Sequence, residues 1–222
     1  MSSDTSIKIV FQNEHAVIVD KPAQWLSIPG RTQDDKRPVL GKLLEQSLAK
    51  KVFPVHRLDA EVSGLILFAL APDFHSAASS LFENKTVQKT YQAITELRNF
   101  ELNKTMTWTC KIFRGKKRSF EAAHGKESIT KATVVLMGDA YLEWRLMPIT
   151  GRSHQLRFEL ARHDAPIVGD SLYGSKLPWT EPGIALRSIQ IDFPEDFASR
   201  WSLPPTVKTS RFPSPERVLD RI

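Results

Sequence analysis

The 222-residue chain has a single cysteine, Cys110, so it can form neither an internal disulfide nor a cysteine-based zinc site. Disulfide frameworks and zinc ribbons are excluded. It has no long hydrophobic run: the longest apolar stretch, residues 65–71, stops at Pro72 and falls far short of the roughly 20 residues of a membrane-crossing helix. The N-terminus has no basic flank followed by an apolar segment, so neither secretion nor a transit peptide is indicated, and a cytoplasmic location is expected. Internal repeats and low-complexity blocks are missing. No HxxxH or histidine-plus-carboxylate spacing surrounds His56 or His154, so no metal is expected. A Gly-x-Ser-x-Gly elbow is also missing, which lowers a hydrolase reading built on Asp59 and His154. With 41% hydrophobic and 25% charged residues, the composition is that of a soluble globular chain and not of a disordered, collagen-like or coiled-coil one.

Acidic residues are the scarcer charge. Thirty-one Lys and Arg against 25 Asp and Glu leave a net charge of +6, an excess that attracts polyanions without by itself naming one. The length suits one domain or slightly more. Residues 7–11 and 16–19 flank a polar break and read as a β-hairpin. Leu40, Leu43, Leu44 and Leu48 recur at helical spacing. Residues 64–70 are too apolar for anything but a central strand, and Pro72 opens a second helix with Ala77, Leu81 and Phe82 on one face. Residues 85–94, 105–113, 131–137 and 141–146 read as strands. Residues 154–162 read as a third helix with Ser153 as its N-cap, and residues 184–193 as a last strand. Strands interspersed with three helices, without strict alternation, predict an α+β fold with a mostly antiparallel sheet. Residues 1–203 form the expected domain, and residues 204–222 a proline-rich tail of irregular coil.

Four polar clusters interrupt this pattern. In the first, His56-Arg57-Leu58-Asp59 leads through Ser63-Gly64 into the central strand. A carboxylate beside a guanidinium can be held ionised as nucleophile or base, or can be a structural ion pair at a strand end. In the second, Lys89-Thr90-Tyr91, the ring suits stacking on a base while the lysine meets phosphate, or simple core packing. The third, residues 148–157, places a Gly151-containing turn before a helix, with Arg152, His154 and Arg157 as donors to an anion, or as a capped, solvated helix. The fourth, residues 166–174, holds Asp170 and Tyr173 between glycines and suits a tight structural loop.

Taken together and in this order, the clusters resemble the RluA-type family of RNA pseudouridine synthases, from Asp20-Lys21-Pro22 to about Phe193. The resemblance rests on the His56 to Asp59 segment with Ser63-Gly64, on Lys89-Thr90-Tyr91, on the Gly151 to Arg157 run, and on residues 166–170 with Tyr173-Gly174. It implies a single α+β catalytic domain with a central, largely antiparallel mixed sheet flanked by helices, and an RNA cleft across it. The implied function is isomerisation of a uridine in a tRNA or ribosomal RNA stem-loop, by base flipping, without cofactor or metal. Carried over by motif, Asp59 is the catalytic carboxylate, Tyr91 stacks on the target base, and Arg157 pairs with Asp59. Arg57 fills the gap in the RNA stack, and His56, Lys89, Arg152 and His154 complete the RNA-binding set. Attack at C6, attack at C1′, and a route through a glycal-like sugar remain open, with the last favoured by the resemblance. A catalytically silent RNA-binding protein on the same scaffold is the alternative. Two departures from the family pattern, Glu159 and Arg187 at positions where histidine is common, lead us to expect altered RNA contacts. The early start of the motifs resembles the compact members without an S4-type module, and nothing demands more than a monomer.

Overall fold

The computed structural model describes residues 7–30 and 35–212. The strands, in chain order, are β1 (Lys8–Gln12), β2 (Ala16–Lys21), β3 (Phe53–Pro54), β4 (Ser63–Ala69), β5 (Gln88–Glu96), β6 (Thr105–Arg114), β7 (Ser119–Glu121), β8 (Lys126–Met137), β9 (Tyr141–Pro148), β10 (Leu186–Asp192) and β11 (Thr206–Lys208). The helices are α1 (Leu40–Leu48), α2 (Pro72–Glu83), α3 (Gln155–Arg162) and α4 (Glu195–Arg200), with one 3-10 turn at Ser171–Tyr173. They fall into two compact units, residues 1–87 with 190–209, and residues 88–189 with 210–222. The class is α+β with a largely antiparallel sheet.

In the first unit the expected hairpin forms as β1 on β2, antiparallel, and β2 pairs in turn with β4. Every residue of β2 and β4 is buried. A strand with apolar side chains on both faces must be covered on both. On one face Ile18, Leu65 and Leu67 pack with Phe74 and Ala78 of α2 and Phe197 and Ala198 of α4. On the other, α1 comes close enough that a methyl group on Gly41 would stand 3.6 Å from the Phe68 ring. Asn13 closes the β1–β2 turn by accepting the His15 and Ala16 N–H groups, and its amide donates to the carbonyls of Trp201 and Ser202 beyond α4. The segment expected as coil differs: Thr206–Lys208 form β11, antiparallel to the end of β10. A three-residue strand has too little pattern to be seen without its partner. Residues 213–222 of the expected tail lie outside the described residues.

In the second unit β5 pairs with β9, β9 with β8, β8 with β6, and β6 with β7, all antiparallel. From Thr107 to Ile112, β6 alternates exposed and buried residues, as a strand with one solvated face should. Trp144 is fully buried, its indole N–H donating to Thr95 Oγ1 at 2.8 Å, and Leu156 and Leu160 of α3 join the core.

Candidate active site

β2 ends where β4 begins, with Lys21 opposite Gly64, so the intervening segment leaves and returns at the same end of this strand pair. Asp59 lies on the returning loop, half-buried, four residues before β4, with Arg57 exposed. The loop is clamped on both sides of the carboxylate. Ser27 Oγ donates to the Leu58 carbonyl at 2.9 Å and accepts the Leu58 N–H at 3.1 Å. The Ala60 carbonyl accepts the Gln24 N–H at 2.7 Å and the Lys21 ammonium at 3.1 Å. A turn bond from Val62 N–H to the Asp59 carbonyl, 3.1 Å, closes the loop. His56 accepts the Leu67 N–H on Nε2 at 3.1 Å and stacks on Phe82 at 4.7 Å. In the neutral ring the proton therefore sits on Nδ1.

Lys21 carries no expected role, although a lysine that follows Asp20 at the end of the apolar run 16–19 is a visible signal. It is fully buried, and it also donates to the carbonyls of Pro22 (2.9 Å) and Trp25 (2.8 Å). Its three protons thus meet three carbonyls, the full donor set of an ammonium. Burial lowers its pKa to about 7, against the opposing pull of the Glu61 and Asp59 carboxylates. Below pH 7 both folded and unfolded chains carry this proton. Between about 7 and the ordinary 10.5 the unfolded chain holds a proton that the folded chain has released, so folding is favoured by rising pH. The difference in unfolding free energy between the native protein and Lys21→Met should therefore grow over this window, by up to about 1.4 kcal/mol per pH unit. Urea titrations from pH 6 to 10 read it directly, and a difference independent of pH would contradict the lowered pKa.

In the second unit the other three sequence clusters converge. Tyr91 and Lys89 alternate along β5 and so share a face. Tyr91 is buried opposite Leu146 of β9, and burial lowers the Lys89 pKa. Lys89 Nζ lies 4.0 Å from where a Cβ on Gly151 would stand, which brings it to the loop before α3. That loop is built on Gln155. Its Oε1 accepts from the Thr150 hydroxyl (2.8 Å) and the Arg152 N–H (2.9 Å), while Nε2 donates to the Ile129 carbonyl (3.1 Å) and Thr130 Oγ1 (2.9 Å). The cap differs from expectation. His154, in the left-handed region at φ 54°, precedes α3 without a side-chain cap bond, and the Ser153 carbonyl instead accepts from Ser119 Oγ at 2.7 Å. Arg152 donates from Nε to the Glu127 carbonyl at 2.7 Å.

Arg157 points inward from α3 and meets Asp170 in a two-pronged pair, Nε to Oδ2 at 2.7 Å and Nη2 to Oδ1 at 2.8 Å, with side chains 3% and 1% exposed. Its guanidinium sits 5.4 Å from the centre of the Tyr173 ring. The Tyr173 hydroxyl accepts the buried Ser119 N–H at 2.7 Å and lies 3.1 Å from His154 Nδ1, and burial raises its pKa. Tyr173→Phe would leave the Ser119 N–H without this partner, so a loss of about 1–3 kcal/mol is expected in the urea unfolding free energy. An unchanged value would mean that solvent replaces the hydroxyl.

The departures have local explanations. Glu159 is fully buried, accepting from Cys110 Sγ (3.0 Å), Ser128 Oγ (3.4 Å) and Arg162 Nε (3.2 Å). Burial and this carboxylate push the Cys110 thiol up to about 12, leaving it inert as a nucleophile. The Glu159 side chain serves the interior of the second unit. Arg187 Nε donates to the Ser210 carbonyl at 2.8 Å, and its guanidinium lies 6.0 Å from the Phe212 ring centre, so it holds residues 210–212. Among the described residues no three His, Cys, Asp or Glu side chains converge as a metal site, and no helix is long and apolar enough to cross a membrane.

The fold is one found in pseudouridine synthases. The structure of human RNA pseudouridylate synthase domain containing 1 superposes with a TM-score of 0.72 at 22% identity, over 100% of this chain and 96% of that one. Residues 15–162 match the family model described as RNA pseudouridylate synthase. The dual-specificity RNA pseudouridine synthase RluA of Vibrio cholerae is 36% identical over 174 residues, 77% of this chain and 69% of the relative. That of Pasteurella multocida is 30% identical over 212 residues, 91% and 95% of the two. The chain belongs to the RNA pseudouridylate synthase family, as an RluA-type member, and its enzyme class is isomerase.

Proposed function

We propose that the protein isomerises a specific uridine of a tRNA or ribosomal RNA stem-loop to pseudouridine, with Asp59 as the catalytic carboxylate. The observation that carries this reading is the family match across residues 15–162, which contains Asp59, Tyr91 and Arg157. Relatives named for dual-specificity RNA and for tRNA pseudouridine synthesis support the substrate class. The reaction conserves atoms: the N1–C1′ bond breaks, the base turns, C5–C1′ forms, C5 loses a proton and N1 gains one. No electron leaves the substrate, so positioned acid–base or nucleophilic groups suffice.

The roles follow from the residue types. Asp59 acts on the uridine as nucleophile or base from a loop whose backbone is clamped through Leu58 and Ala60, which lowers the cost of orienting it. Tyr91 stacks on the extruded base, and Arg157, oriented by Asp170, supplies positive charge to the carboxylate. Arg57 takes the place of the flipped base in the RNA stack, while His56, Lys89, Arg152 and His154 contact the surrounding RNA. Residues 1–203, spanning both compact units, make up the catalytic domain in this reading, and the protein acts as a monomer in the cytoplasm.

The test is incubation of the purified protein with unmodified tRNA transcripts and ribosomal RNA fragments, followed by carbodiimide modification and primer extension. A new stop at one uridine supports the reading and names the target. Salt-sensitive binding with no stop on any transcript would favour a silent RNA-binding protein.

A further inference from the structure

Outside these clusters, the hairpin of β6 and β7 carries the most conspicuous unexplained surface. Its turn, from Arg114 to Arg118, presents Arg114, Lys116, Lys117 and Arg118, all exposed. Among the described residues none of these four forms an ion pair, whereas Arg37, Arg98 and Lys104 each have a carboxylate partner. Four like charges within five residues repel one another, and among the described residues none of the four is paired with a carboxylate.

Beside the turn lie rings that folding leaves in water. Phe113 and Phe120 stand directly opposite each other across the hairpin, 39% and 43% exposed. Their centroids are 5.6 Å apart, and His124 meets Phe113 edge-on at 4.6 Å. His124 is held there by the 122–125 turn, in which Gly125 lies so close to β6 that a Cβ would come within 2.7 Å of the Ile112 backbone. The root of the hairpin is fixed as well, since Ser119 bonds to Ser153 and Tyr173. The platform is therefore ordered and borders the loop that carries Arg152 and His154.

We propose that this hairpin is a second RNA contact, in which Phe113, Phe120 and His124 stack on an unpaired base while Arg114, Lys116, Lys117 and Arg118 neutralise adjacent phosphates. It deepens the reading above and rests on it for RNA as the substrate. Exposed aromatic rings bordered by unpaired cations match single-stranded nucleic acid, which offers a π-face and a phosphate at every nucleotide. A protein surface with acidic side chains would satisfy the cations and leave the rings without a matched partner.

The test compares the native protein with Phe113→Ala/Phe120→Ala and with Lys116→Ala/Lys117→Ala/Arg118→Ala, using a fluorescein-labelled oligouridylate and the modified transcript. All five side chains are exposed, so circular dichroism should report native folds. Removing the rings should weaken oligouridylate binding about tenfold and lower kcat/KM on the transcript similarly. Removing three cations should reduce the slope of log affinity against log salt by about 2, at roughly 0.7 per phosphate. Native affinity and slope in both variants would overturn the proposal. An effect of the charges alone would overturn the stacking and leave a general polyanion surface. Loss of oligouridylate binding in the variants, with a native protein that modifies no transcript, would support the hairpin contact while refuting the isomerase reading. Full modification by the native protein with unaltered binding by both variants would do the reverse.

Discussion

Asp59→Asn is expected to reduce pseudouridine formation by at least about 10³-fold while leaving the fold and RNA affinity close to native. The side chain is half-buried and its loop is held by Ser27, Gln24 and Lys21 through the backbone of Leu58 and Ala60. None of those bonds uses the Asp59 carboxylate, so the variant retains these backbone clamps. It loses the negative charge and lone-pair basicity that attack on the sugar or base, or removal of the C5 proton, would need. Single-turnover assays with excess enzyme separate this loss from binding. Measurable turnover by Asp59→Asn at a native rate would remove Asp59 as the catalyst, and equal losses of affinity and rate would make it a binding residue.

The second large effect is expected at Asp170. Asp170→Asn should cost about 3–5 kcal/mol of stability, because it removes the two-pronged carboxylate partner of the Arg157 guanidinium, a side chain only 3% exposed. For a chain of this size that is a fall in melting temperature of roughly 6–20 °C. The amide can still accept one bond from the guanidinium, but it cannot match the two-pronged charge-assisted pair of 2.7 and 2.8 Å. Arg157→Lys should be nearly as damaging, since a point ammonium cannot reproduce the planar fork. If Arg157 also supplies charge to the catalytic carboxylate, Asp170→Asn should lower kcat more than it raises KM at temperatures where the variant is folded. A melting temperature within a degree or two of native would show that the pair is balanced by its own desolvation.

The elements that could be read from the chain were those whose evidence is local. The apolar run at residues 64–70 became β4, buried throughout, and the leucine spacing from 40 to 48 became α1. The turn between β1 and β2, the Pro72 start of α2, and the four motif clusters were equally legible, and the order of those clusters carried the family. β7 and β11, three residues each, were not, because a strand that short is defined by its partner's hydrogen bonds and has no period of its own.

The same division runs through the candidate site. Sequence alone determined which residue types recur together, hence the chemistry: one carboxylate after an arginine, a tyrosine beside a lysine, and a donor-rich loop before a helix. Tertiary structure decided what holds them. The Lys21 ammonium reaches a carbonyl 39 positions away, the Ser119 N–H a hydroxyl 54 away, and Arg157 an acid 13 away. It also made His154 the residue before α3, with the Ser153 carbonyl bonded to Ser119. Hydrophobic periodicity is imposed by the geometry of a single helix or strand, so it is written along the chain. A buried donor or charge must find its partner wherever the fold brings one, and that requirement is met in space.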